Sequence, residues 1–185
     1  MIVNKVKLFT SPARLDDGVF ESTFYEHYPR VYAVLFRLVG DPYEADDLAA
    51  ETFWRLWERP PRQDENLGGW LYRVATHMGY NALRSKRRRA RYEEEAGKDA
   101  LERGTIPDPA HTAEQADERR RVREVLRKMP LRDVQILVLR HSGFSYKEIA
   151  DAVGVAATSV GALLSRAEDR FEALYQQGEK DASKR

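Results

Sequence analysis

The chain of 185 residues contains no cysteine, so neither a disulfide framework nor a thiolate metal site can hold it together, and its stability has to come from apolar packing. Long apolar runs are missing as well. The first residues, "MIVNKVKLFTSPARL", lack the unbroken apolar stretch of a signal peptide, and no later segment approaches the roughly 20 apolar residues of a membrane span. A cytoplasmic protein with no membrane insertion is the expectation. Charge of one sign is lacking too: 31 Lys and Arg stand against 30 Asp and Glu, a net of +1, which excludes a protein that coats nucleic acid by overall positive charge. Alternating apolar and polar runs, the signature of half-buried strands, are also missing.

What is present is helical periodicity and segregated charge. Segment 84 to 91, "RSKRRRAR", holds six cations in eight residues, whereas "DPYEADDLAAE" at 41 to 51 is rich in carboxylates. The expected fold is all-α, with two small helical domains joined by a flexible linker. A first helix carries Phe20, Phe24, Tyr28, Val31, Val34, Leu35 and Leu38 and stops at Gly40. Asp41 then reads as an N-cap, with Pro42 at the first helical position and Glu44 three residues after the cap. Ala45, Leu48, Ala49, Thr52, Phe53, Leu56 and Trp57 fall on one face of the second helix, while Asp47 and Glu51 fall on another. The proline- and glycine-bearing stretch "RPPRQDENLGG" is a loop, and a third helix follows with Leu71, Val74, Ala75, Met78 and Ala82 inside.

Residues 92 to 113 have little apolar periodicity and read as the linker. The expected divisions are an N-terminal extension at 1 to 18, a first domain at 19 to 91, a second at 114 to 176 and a tail at 177 to 185. Each domain is near the lower size limit for independent folding, so its packing depends on a partner.

The sharpest local pattern is "GFSYKEIADAVGVAATSVGALLSRAEDRF", 143 to 171. Ser145 and Glu148 form a capping box, Phe144 and Ile149 a hydrophobic staple, and Gly154 permits the left-handed turn into the next helix. This is a helix-turn-helix, whose second helix is shaped to enter a DNA major groove.

With both halves quoted, the chain resembles the bacterial RNA polymerase sigma factors of the extracytoplasmic-function (ECF) class, the two-domain type. The resemblance rests on "FYEHYPRVYAVLFRLVGDPYEADDLAAETFWRLW", "WLYRVATHMGYNALRSKRRR" and "MPLRDVQILVLRHSGFSYKEIADAVGVAATSVGALLSRAEDRF", in that order. It implies a protein that is not an enzyme and needs no cofactor or metal. Its role would be to bind core RNA polymerase, direct it to minus-ten and minus-thirty-five promoter elements and assist melting.

In the family the helix matching 41 to 58 docks on the clamp helices of the beta-prime subunit, and Asp46, Asp47, Glu51 and Arg55 occupy that motif here. The second domain would meet the beta flap, and an anti-sigma factor would hold the protein inactive. Minus-ten contacts fall to Trp70, Arg73, His77, Asn81, Arg84, Lys86 and Arg87, with Trp70 shared between the core and base stacking and Tyr80 at the border of the same stripe. Minus-thirty-five contacts fall to Lys147, Thr158, Ser159, Gly161, Ala162 and Arg166.

The chain departs from the family in three places. The loop "RPPRQDENLGG", which matches the position where relatives hold a flipped-out promoter base, is more proline-rich and acidic than the common form, and Ala50 stands where a glutamine is common. Ser159, Val160, Gly161, Ala162 and Leu163 stand where Thr-Val-Lys-Ser-Arg is common, which removes two cations; the alternative is that the small residues admit thymine methyl groups. Two other classes compete. A stand-alone helix-turn-helix regulator would explain 143 to 171 but leave the first domain without a role. A magnesium nuclease built on Asp46, Asp47 and Glu51 would lack a second motif and a general base.

Overall fold

The computed structural model describes residues 15–62, 65–95 and 113–182. Among them are seven α-helices and no strand. Helix α1, Asp17–Val39, starts where the Asp16 carboxylate accepts the Gly18 and Val19 N–H groups, and it ends on Gly40 in the left-handed conformation. Pro29 lies inside it without ending it. An interior proline costs about 3 kcal/mol of intrinsic helix preference, and the fully buried Val31, Val34, Leu35 and Leu38 just beyond it supply the offsetting burial.

Helix α2, Pro42–Glu58, begins at Asp41, whose carboxylate takes the Glu44 N–H at 2.8 Å. Helix α3, Leu67–Glu95, packs against both α1 and α2 and continues four residues past the expected domain end at 91. Its side chains from 86 onward, Lys86 and Arg87 included, lie outside the described residues. Phe53 is the hub of this first bundle, ringed by Phe20, Phe24 and Tyr28 with ring centroids at 6.5, 4.9 and 5.9 Å.

The second bundle comprises α4 (Ala113–Lys128), α5 (Leu131–His141), α6 (Tyr146–Val153) and α7 (Ala157–Ala182). Its α6 and α7 form the helix-turn-helix that the sequence predicts. The capping box is complete, Phe144 and Ile149 are fully buried, and Gly154 has φ +74°, a conformation that side-chain-bearing residues rarely adopt.

Each small bundle does have the partner its size calls for, and the partner is the other bundle. One continuous core spans both. Tyr72 of α3 meets Phe144 edge-on at 4.4 Å between centroids. Beside this contact, buried Gln135 of α5 donates to the Thr76 hydroxyl at 2.9 Å, and the Tyr80 hydroxyl donates to the Met129 carbonyl at 2.6 Å. Both polar contacts are satisfied within the seam, as buried donors and acceptors must be. Tyr80 is therefore a core residue that joins the bundles, and its hydroxyl is committed there instead of standing at the edge of a base-stacking stripe.

Candidate protein and nucleic-acid interfaces

The outward face of α2 is set by the apolar stripe on its other side. With Ala45, Ala49, Thr52, Phe53 and Leu56 buried, Asp46, Asp47, Ala50, Glu51 and Arg55 are exposed, so all four residues assigned to core binding share the solvent side of one helix. They are not equivalent. Asp46 accepts a hydrogen bond from the Tyr28 hydroxyl, whose pKa is pushed up to about 12 by burial and by that carboxylate. Glu51 pairs with Arg55 at 2.9 Å, one helical turn on.

The same face holds two large aromatic side chains that the charge pattern did not single out, Tyr43 at 68% exposure and Trp54 at 55%. The signal was available in the spacing, because 43, 47, 50 and 54 fall on one side of a helix while Ala45, Ala49, Thr52 and Leu56 fall on the other and Trp57 lies at the border. The result is an exposed face that combines carboxylates with two large aromatic rings, the residue type enriched at protein interfaces.

On α3 the residues assigned to minus-ten contacts divide into two groups. His77, Asn81 and Arg84 are exposed, and the Arg84 guanidinium lies 5.6 Å from the Tyr80 ring centroid. Asn81, Arg84 and Ser85 line an open groove against Leu48 and Arg55 of α2, floored by Met78. Trp70 is half-buried and packs on the core, which is the packing side of the two roles the sequence allowed it.

Arg73 is placed differently from the outward stripe that the sequence suggests. It turns to the second bundle, where Nε donates to the Ala152 carbonyl at 2.9 Å and Nη2 to the Asp151 carbonyl at 3.0 Å, while Nη1 pairs with Glu65 at 2.8 Å. The reason is general: the last carbonyls of a helix lack intrahelical donors and carry the negative end of its dipole, and a guanidinium fork satisfies both conditions.

The loop before α3 follows Arg73. Asn66 accepts the Gly69 N–H at 3.0 Å, starting the helix, and donates to the Asp151 carboxylate at 2.8 Å. Gly69 is pressed so close to α6 that a Cβ there would lie 3.0 to 3.2 Å from the Asp151 Cβ, carbonyl carbon and oxygen. A second bridge lies nearby. Arg30 of α1 donates to Glu148 at 2.7 Å while its guanidinium lies 3.9 Å from the Phe144 ring centroid.

Burial alone would raise the Glu148 pKa, but the Arg30 bond and the Ser145 N–H and hydroxyl outweigh it and hold the carboxyl at about 2. His27, hydrogen-bonded to the Tyr72 hydroxyl at 2.7 Å, has its pKa lowered by burial and by Arg30, with Glu26 and Glu148 opposing.

On the helix-turn-helix, Lys147, Thr158, Ser159, Ala162 and Arg166 are exposed and Gly161 is half-buried. A Cβ at Gly161 would meet the Tyr146 ring at an ordinary 3.6 Å, so packing does not require glycine there. Tyr146 is itself 44% exposed and has Arg140 at 5.6 Å from its ring centroid. Cations sparse on the start of α7 are therefore supplied beside it by α5 and α6, a neighbourhood that sequence order conceals.

Known families bear on these surfaces. Residues 24–89 match the family model for sigma-70 region 2, and residues 119–171 match the one for sigma-70 region 4. The chain is 30% identical over 157 residues to the ECF RNA polymerase sigma factor EcfG of Rhodopseudomonas palustris, covering 83% of this chain and 83% of that protein. This chain belongs to the ECF sigma factors. It is also 30% identical over 145 residues to the ECF sigma factor SigE of Mycolicibacterium smegmatis, 76% of this chain and 55% of that protein. The first curated relatives are longer, and this sigma factor spans about half their length.

The fold is shared with CnrH, solved in complex with the cytosolic domain of CnrY (TM-score 0.56, 20% identity, 88% of this chain and 90% of that one). It is shared as well with RpoE, solved with the anti-sigma factor NepR from Bartonella quintana (TM-score 0.52, 22% identity, 85% and 97%). The helix α1–α3 bundle of this sigma factor is thus its region 2 and the helix-turn-helix bundle its region 4.

Proposed function

We propose that this sigma factor binds core RNA polymerase through the outward face of α2 and carries it to promoters read by α3 and α7. The observation that supports this reading most directly is the α2 face itself, where carboxylates and two exposed aromatic rings stand together on the scaffold of a sigma region 2. Asp47 and Glu51 steer a basic or polar docking surface such as the beta-prime clamp helices, and Trp54 and Tyr43 provide the desolvated contacts from which most interface affinity comes. His77, Asn81 and Arg84, with Lys86 and Arg87, meet the minus-ten element, the cations following phosphate and the amide and imidazole reading unstacked bases. Lys147, Thr158, Ser159, Gly161, Ala162 and Arg166 meet the minus-thirty-five duplex, where the small residues admit thymine methyl groups. Region 4 also touches the beta flap.

The chain acts without chemistry of its own and within the cytoplasm. The solved relatives RpoE and CnrH were each captured with another protein, NepR and CnrY, and we propose that an anti-sigma factor holds this chain too. Co-purification from its own cells tests that partner, and a chain recovered free and active throughout growth would oppose it. The decisive test of the main reading is run-off transcription from sheared genomic DNA with core polymerase, which is expected to initiate at discrete sites only when the chain is added. Protection of duplex sites by the chain alone, with no dependent initiation, would replace this reading with a stand-alone regulator.

A further inference from the structure

Helix α7 brings few side chains able to read a base to the proposed minus-thirty-five face. Thr158, Ser159 and Ala162 are exposed near its start, and Gly161 beside them has no side chain at all. The two hydroxyls can hydrogen-bond, but Gly161 and Ala162 together offer a base only a Cα and one methyl group. So shallow a recess covers little of a thymine methyl, and apolar recognition scales with the surface removed from water.

The neighbouring helix supplies what is missing. Tyr146 is the first residue of α6, next to the Ser145 cap that fixes the helix start. Its Cε2 lies 3.6 Å from where a Cβ of Gly161 would stand, so the ring rests over the glycine at ordinary van der Waals distance. Phe144, Ile149 and Val160, all fully buried, close the core of the helix-turn-helix without it, and Tyr146 itself stays 44% exposed. The Arg140 guanidinium, at the end of α5, lies 5.6 Å from the same ring centroid. We infer that Tyr146 is the base-reading side chain at the place where α7 has none: its ring, Gly161 and Ala162 form an apolar recess for one thymine methyl of the minus-thirty-five element, and Arg140 neutralises a phosphate beside it. This rests on the proposed reading of α7 as the minus-thirty-five reader. It gives specificity to Tyr146 and affinity to Arg140, because contact with the C5-methyl group singles out thymine, whereas a phosphate is the same at every sequence. Gly161 acquires a role as well, since a long side chain there would need the space that the ring fills.

The test uses holoenzyme assembled from the full chain and core polymerase, on a promoter that the run-off transcription recovers. Each thymine of the minus-thirty-five duplex is replaced in turn by deoxyuridine, which removes only the methyl group, and binding is read by competition. At one position the replacement is expected to weaken binding about fourfold, the worth of one buried methyl. Tyr146→Ala should show a comparable loss on the unmodified promoter and no further loss when that methyl is also removed, while penalties at other positions stay additive. Tyr146→Phe should restore the discrimination. Gly161→Lys displaces the ring and adds a cation, so it should lose the discrimination at the same position while the salt dependence steepens by about one phosphate contact. Arg140→Gln should weaken binding to every sequence alike and keep the discrimination.

The inference is overturned if no deoxyuridine replacement weakens the intact holoenzyme, if Tyr146→Ala leaves every penalty as it was or weakens all sequences alike, or if Gly161→Lys keeps the discrimination. Those outcomes leave the promoter reading in place. Failure of that reading looks different: the holoenzyme initiates at no discrete site, or base-pair changes in the minus-thirty-five duplex alter nothing, and the inference falls with it.

Discussion

Helices α2 and α3 belong to one bundle and share one core, yet their outward faces have different fates. On α2, Tyr43, Asp47, Glu51 and Trp54 are exposed. On α3 the face is divided along its length: the first turns, with Gly69, Tyr72, Arg73 and Thr76, meet region 4, and among the described side chains His77, Asn81 and Arg84 look out. On the proposed reading, the surface assigned to a protein partner is exposed while part of the surface assigned to DNA meets region 4.

The strongest way to break this contrast is charge reversal on α2. Asp47→Lys with Glu51→Lys should weaken binding to core polymerase on the order of 100-fold, since like charges then face each other across the interface. Single-strand binding by the chain alone should not change. If surface-plasmon measurements show both affinities falling together, the two faces are not independent.

Next in size is a pair of tryptophans one turn apart. Trp54→Ala should cost about 2 kcal/mol of core-binding free energy and leave the melting temperature nearly unchanged, because the ring is 55% exposed. Trp57→Ala should do the opposite, since that ring is half-buried against Phe20 at 5.1 Å. Calorimetry together with polymerase binding separates them, and a reversed pattern would mean the outward face has been assigned to the wrong side of α2.

On α3, Arg84→Gln should weaken promoter engagement by roughly threefold to tenfold and make the salt dependence shallower by about one phosphate contact. Core binding should be unaffected. An unchanged salt slope would remove Arg84 from the DNA face.

The smallest effect is one of pH. Glu148 has its pKa depressed from 4.5 to about 2 in the folded chain. Its contribution is therefore fully present above the unfolded value and is lost as the pH falls from about 4.5 toward 2. Because the pair is more than one-third exposed, the loss should be modest and salt-sensitive. Acid titration should show a steeper slope in the intact chain than in Arg30→Gln, where only the Ser145 contacts still hold the carboxylate.

Much of the scaffold was legible before any coordinates. Asp41 capping Glu44, Gly40 ending α1, and the box of Ser145 with Glu148 are contacts within four residues, so the sequence itself holds both partners. Solvent exposure of Asp47, Glu51, His77, Asn81 and Arg84 followed from period 3.6 in the same way.

The contacts that divide the α3 face were not legible. Arg30 and Glu148 are 118 residues apart, Arg73 and Ala152 are 79 apart, and Thr76 and Gln135 are 59 apart. In sequence, Arg73 is one more cation on a polar stripe, Tyr80 one more aromatic at its border, and Glu148 only the second half of a capping box. Helix identity, caps and amphipathic faces are local properties, and residues three and four apart determine them. Which polar side chain is spent on a helix end, and which is left for a partner, depends on how two bundles dock. That docking is decided by shape and by the unsatisfied carbonyls of α6, and only the folded chain brings these to Arg73.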